Sequence, residues 1–270
     1  MSSDLTAMPT RCVGGVTFAV SETARVAEAI RHDALEGETG LAIHFANAYT
    51  VALAHANSAV ARILHSSKSL NITDGAPVTW FGRRYNRSDE LAWEQMSGPD
   101  VMARVLAEST ADGPRHFLLG GSPETLEQLQ AAIAKNWPQA IVVGAESPPY
   151  RSLTEQELAE QDQRIRASGA NIVWVGLGTP KQDFEVDRLA QSIPIIACGV
   201  GAAFDFIAGT KKRSPAWMTS AGLEWVYRLV QEPRRLAGRY LWGNPRFVMA
   251  AIKYRDRPAF AALATDRQAA

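Results

Sequence analysis

The stretch NIVWVGLGTPKQDFEVDRLAQSIPIIACGVG, residues 171–201, decides the fold. NIVWVGLG (171–178) is an apolar run too short for a helix, rich in β-branched residues and closed by two glycines. A proline at a plausible helix start and an amphipathic stretch follow, and PIIACGVG (194–201) repeats the apolar run with its glycine ending. Strand, glycine turn, helix and strand in that order make a parallel unit.

Working outward, LAIHFANA (41–48), RHFLLGG (115–121) and AIVVGA (140–145) are further strands of the same kind, and Val16–Val20 adds a short one before a helix opened by Ser21. Four of the five longer runs end in or beside glycine. The fold class is therefore α/β, a Rossmann-like, largely parallel sheet with flanking helices, whose ligands bind beyond the carboxyl ends of the strands. Ser122-Pro123 and the capping-box spacing Thr154 to Glu157 mark two of the helix starts.

Past Gly209 no β-like run occurs. Ser214-Pro215, Pro233 and Asn244-Pro245 each read as a helix start, so residues 1–210 are expected to form the α/β core and 211–270 a helical appendage. Lys and Arg number 28, as do Asp and Glu, and this balance argues against a nucleic-acid partner. The balance hides an asymmetry: between Lys211 and Pro258 eleven basic residues face three acidic ones, among three Trp and three Tyr, a surplus that the rest of the chain offsets. Such a segment suits an anionic membrane surface, or helices packing on the core with snorkelling arginines. Cys12 and Cys198 match no metal-ligand spacing and read as packing residues of a reducing compartment. The amino-terminus lacks a secretory pattern, and no run reaches the length of a spanning helix. The protein is expected to be cytoplasmic, at most peripheral on the inner face of the membrane.

Several short motifs carry chemistry. Asp74-Gly75 is a turn signal whose carboxylate, just after an apolar stretch, can serve as a general base if it reaches a hydroxyl. Gly120-Gly121-Ser122-Pro123 and the loop at Gly201 can present backbone N–H groups to a phosphate, although neither is a full dinucleotide fingerprint. In Gly176–Gln182, residues Gly178, Pro180, Lys181 and Gln182 form a polar lip, the amide offering both donor and acceptor. Asp183-Phe184-Glu185-Val186-Asp187 is the nearest approach to an Asp-x-Asp metal site. On a helix its carboxylates diverge, so a solvated edge is expected. Arg228, Arg234, Arg235 and Arg239 then supply the positive charge for a departing diphosphate.

The ordered set Asn47-Ala48-Tyr49-Thr50, Asp74-Gly75, Ser97-Gly98-Pro99-Asp100, Gly120-Gly121, VGLGTPKQ (175–182), GVGAAFDFIAG (199–209), KRSPAW (212–217), GLEWVYRL (222–229) and EPRRL (232–236) resembles the WecG/TagA/CpsF glycosyltransferases, glycosyltransferase family 26. The resemblance implies that Asp74 is the base, with Asn47 and Thr50 on the neighbouring polar motif. It places the glycine loops, Gln182 and Asp205 at the nucleotide, and the carboxyl-terminal arginines at diphosphate or membrane. It implies inverting transfer of a hexose or N-acetylhexosamine from a UDP-sugar to a polyprenyl-diphosphate-linked sugar, with no cofactor and no metal ion, and it leaves room for a homo-oligomer. Asp183 and Phe184 replace the usual Glu and Trp after Pro-Lys-Gln, and Ser147-Pro148-Pro149-Tyr150 replaces a Gly-Tyr-Phe-like turn. The rival from another class is a noncatalytic UDP-binding module that docks an assembly at the membrane. A dehydrogenase lacks its fingerprint here.

Overall fold

The computed structural model describes residues 4–37, 40–87 and 90–260. Strands β1 (Thr10–Val13) and β2 (Val16–Ala19) form an antiparallel hairpin, followed by α1 (Thr23–Glu36) and β3 (Leu41–Ala46). Then come α2 (Ala48–Ala56), α3 (Ser58–Leu64), β4 (Ser69–Thr73), α4 (Ala76–Tyr85) and α5 (Gly98–Ala107). The second half runs β5 (Arg115–Gly120), α6 (Pro123–Asn136), β6 (Ile141–Glu146), α7 (Glu155–Ala167), β7 (Ile172–Gly176), α8 (Lys181–Ser192) and β8 (Ile196–Gly199). Four helices complete the described residues: α9 (Ala203–Ile207), α10 (Ala216–Ser220), α11 (Glu224–Gln231) and α12 (Pro233–Tyr254).

Among the described residues the strands form one eight-stranded sheet in the order β1-β2-β4-β3-β8-β7-β5-β6, parallel except for the first pair. The expected α/β class is thus the observed one. Strands β3 and β8 are buried along their whole length, as continuous apolar runs in the middle of a parallel sheet must be. Because β3 leads outward to β4 and β5 outward to β6, the order reverses around β8 and β7, and the crevice lies at their carboxyl ends.

Two strands escape the sequence reading, β1 and β4. Strand β4, SLNIT, is fully buried although three of its five residues are polar. Each finds a backbone carbonyl: Ser69 Oγ donates to Ile63 at 2.6 Å, Asn71 Nδ2 to Leu64 at 2.8 Å and Thr73 Oγ1 to Glu94 at 2.8 Å. The helix expected to open at Asn244-Pro245 does not exist separately, because Pro245 lies inside α12. A helix-interior proline costs about 3 kcal/mol. Burial of Leu236 and Gly243 before it and Phe247, Ala250 and Ala251 after it holds the helix in one piece. Those last three side chains join Val13, Val16, Phe18 and Val51 in one apolar cluster. The remainder of the appendage, residues 261–270, lies outside the described residues.

One buried polar set in the core makes a stability prediction. Trp174 Nε1 donates to His116 Nδ1 at 3.1 Å, which puts the ring proton on Nε2, 3.2 Å from Ser109 Oγ. Burial holds the His116 pKa down at about 4, against an ordinary value of 6.5. A histidine depressed in the folded state stabilises fully above its unfolded pKa, and that contribution fades as pH falls from 6.5 toward 4. Between pH 7 and pH 5 the loss from this group is about 2 kcal/mol. Urea unfolding at both pH values checks it, since His116→Gln, which keeps an acceptor for Trp174, should show a smaller difference between them.

Candidate active site

At the carboxyl ends of β3, β4, β7 and β8 lies a cavity of about 370 Å³, floored by Gly176–Thr179 and Gly199–Ala202. A second chamber of about 150 Å³ adjoins it, walled by Tyr49, Ala76, Pro77, Trp225, Leu236 and Tyr240. Asn47, Asp74, Glu224, Arg228 and Arg239 line both spaces. A third cavity of about 860 Å³ extends toward β5 and β6 past Gly121, Tyr150, Lys181 and Phe184.

Asp74 is the first residue after β4, its backbone N–H bonded to Ala46 of the neighbouring β3 at 3.1 Å. Gly75, at φ 83°, supplies the left-handed step that turns the chain into α4 directly behind the carboxylate. Asn47 caps α2: its Oδ1 accepts from the N–H groups of Tyr49 at 3.0 Å and Thr50 at 3.3 Å, and its Nδ2 donates to Asp74 Oδ2 at 3.4 Å. Helix cap and carboxylate are therefore positioned by one amide. Burial, first, and the nearby Glu224 carboxylate push the Asp74 pKa up to about 7, against the pull of Arg228 and the Asn47 hydrogen bond.

Thr50 does not reach the cleft. It is fully buried, and its hydroxyl completes the capping box by accepting the Asn47 N–H at 3.3 Å, so it holds Asn47 rather than a ligand. Gln182 lines the central cavity and also builds it. Its Oε1 accepts the Gly178 N–H at 3.0 Å and its Nε2 donates to the Gly199 carbonyl at 2.8 Å, which staples the two glycine turns into one floor. Gly120 packs against β7, where a Cβ would lie 2.8 Å from the Gly176 carbonyl carbon. Gly178 and Gly201 line the central cavity, Gly121 and Lys181 the third, while Pro180 precedes the first residue of α8.

Asp205 lines both larger cavities, but Lys211 Nζ sits 2.8 Å from its Oδ2 and 3.0 Å from Glu232 Oε1. That lysine ties α9 to the start of α12. Arg213 makes a similar tie to Asp100 at 2.6 Å. Arg235 reaches the central cavity while paired with Glu232, and Arg234 is exposed and lines neither chamber. Arg239 donates from Nη2 to the Thr179 carbonyl at 3.0 Å.

The carboxylates of 183–187 do diverge, but the expected solvated edge is wrong for Asp183. It is buried, with Oδ1 3.3 Å from His44 Nδ1, because the first turn of α8 packs over β3. Glu185 turns instead to Arg188 at 2.7 Å. Sequence reading missed Glu224, which lies one turn before Arg228 on α11 and faces the same cleft. Its only sequence signal is that spacing.

A protein-family model described as the glycosyl transferase WecG/TagA/CpsF family matches residues 11–260, which takes in every residue lining the cleft.

Proposed function

The chain belongs to the WecG/TagA/CpsF glycosyltransferases, a family of cell-surface polysaccharide synthesis, and on that premise we propose an inverting, metal-independent transferase. It moves a hexose or N-acetylhexosamine from a UDP-sugar to a polyprenyl-diphosphate-linked sugar. One observation carries this reading: Asp74 stands where two chambers meet, with Arg228 and Arg239 lining the same two spaces.

In this reading the donor lies along the glycine floor and the acceptor sugar enters the smaller chamber, against Trp225 and Tyr240. Asp74 accepts the proton of the acceptor hydroxyl, and that oxygen attacks the anomeric carbon. The bond from this carbon to the diphosphate oxygen breaks, and UDP leaves with the electron pair, its added charge balanced by the arginines and by backbone N–H groups. A single displacement of this kind inverts the anomeric centre.

The membrane supplies the acceptor. Among the described residues no helix is long and apolar enough to cross it. Along α12, however, Leu241, Val248, Met249 and Ile252 are exposed at intervals that keep them on one stripe, with Arg246 and Lys253 close by. An apolar stripe flanked by cations suits an anionic inner leaflet.

The reading is tested by UDP release from a panel of UDP-sugars, with a short-chain polyprenyl-diphosphate-sugar, with and without EDTA, across pH. Acceptor-dependent release with one donor should survive EDTA. Because the base works only when deprotonated, kcat/KM should climb as pH rises through about 7 and level off above it. Loss of activity in EDTA would remove the metal-free mechanism, and UDP binding without release would favour a docking module.

A further inference from the structure

Tyr49 has no role in the mechanism above, yet its surroundings are specific. It stands in the first turn of α2 and its ring lies beneath the Arg239 guanidinium, whose central carbon is 4.4 Å from the ring centroid. Trp242 meets the same ring edge-on at 6.0 Å. The close approach depends on Gly243, where a Cβ would sit 2.9 Å from Tyr49 Cδ2. Arg239 is therefore clamped between an aromatic face on α2 and the Thr179 carbonyl of the glycine floor.

Neither clamp neutralises its charge. Among the described residues no carboxylate pairs with Arg239, while burial and the neighbouring Arg235 and Arg228 weaken its hold on a proton. Arg239 thus brings to the cavity, beside Arg228, a positive charge that no carboxylate pairs, and a half-buried charge of this kind calls for an anionic ligand. A guanidinium serves such a ligand best when its plane is already fixed, because less rotamer freedom is lost on binding.

We propose that Tyr49 is a positioning residue for the diphosphate: its ring face holds the Arg239 guanidinium in the orientation that receives the phosphates, so α2 contributes to donor affinity without touching the donor. The inference rests on the UDP-donor reading.

Calorimetric binding of UDP and of UMP at one ionic strength tests it, in the wild type, Tyr49→Phe, Tyr49→Leu, Arg239→Gln and the double variant Tyr49→Leu/Arg239→Gln. The wild type should favour UDP over UMP. Tyr49→Leu should lose on the order of 10-fold in UDP affinity, the usual scale of a desolvated cation–π contact, with UMP within about 2-fold of wild type. Tyr49→Phe should keep the UDP preference, and Tyr49→Leu should cost nothing further in the Arg239→Gln background. An unchanged UDP-to-UMP ratio in Tyr49→Leu overturns the positioning role, as does an equal loss in Tyr49→Phe or a full additional loss in the double variant. No UDP preference in the wild type would overturn the donor reading itself, and the inference with it.

Discussion

Asp74→Asn lowers turnover by about 10²- to 10⁴-fold, the scale of a lost general base, and leaves the protein folded. Asn is nearly isosteric, and its amide oxygen can still accept the Asn47 Nδ2–H that now meets Asp74 Oδ2 at 3.4 Å. The fold should gain rather than lose. A carboxyl whose folded pKa is raised from 3.8 to about 7 is harder to ionise in the folded chain than in the unfolded one, so its charge costs stability at pH above 7. Removing that charge lifts the cost, and Asp74→Asn should melt at or above the wild-type temperature at pH 8. Turnover and melting measured on the same preparation decide the matter. Near-wild-type turnover would place the base elsewhere, with Glu224, the other carboxylate shared by the two chambers, as the next candidate.

Phe247→Ala should cost about 3–5 kcal/mol, the range for emptying a large aromatic from a packed core, and roughly 5–10 °C in melting temperature. The side chain is 1% exposed, meets Phe81 at 5.5 Å between centroids, and sits in the cluster that β1, β2 and α2 share with α12. The same helix carries Arg239, so the variant should also bind UDP more weakly as α12 loosens. This bears on the division near Lys211, where composition changes. If 211–260 is a separate unit, Phe247→Ala melts in two steps, the second unchanged from wild type. If α12 belongs to the core, one cooperative transition moves as a whole. A cut at Lys211 also removes Ala250 and Ala251 from that cluster and exposes what they cover, which makes point variants the cleaner probes of catalysis.

The sheet was legible where strands are largely apolar runs that end in or beside glycine, as in β5, β7 and β8, and in β3 from its apolar run alone. Strand β4 was not, because Ser69, Asn71 and Thr73 look solvated until the carbonyls that receive their hydrogen bonds are in place. Pro245 misled for a related reason: local propensity marks a helix start there, and tertiary burial on both sides overrides it. Asp74 was readable from its turn, and Arg228, Arg235 and Arg239 from their clustering. The parts that support them were not. Thr50 and Asp183 are polar residues whose partners lie within the protein, Gln182 lines the cavity while its amide bonds the floor, and sequence alone does not separate a side chain that meets a ligand from one that holds the wall behind it.

The sheet order also governs how the chain comes to exist. Central strand β3 pairs on one side with β4, a short way along the chain, but on the other with β8, about 150 residues later. During synthesis β3 therefore waits with an open edge until most of the protein has left the ribosome, and the glycine floor cannot be stapled before Gly199 emerges. Long-range parallel pairing of this sort is slow, and an unfilled strand edge invites association with other chains. Premature termination between β7 and β8 should yield aggregates, and chaperone capture of that intermediate should raise the soluble yield.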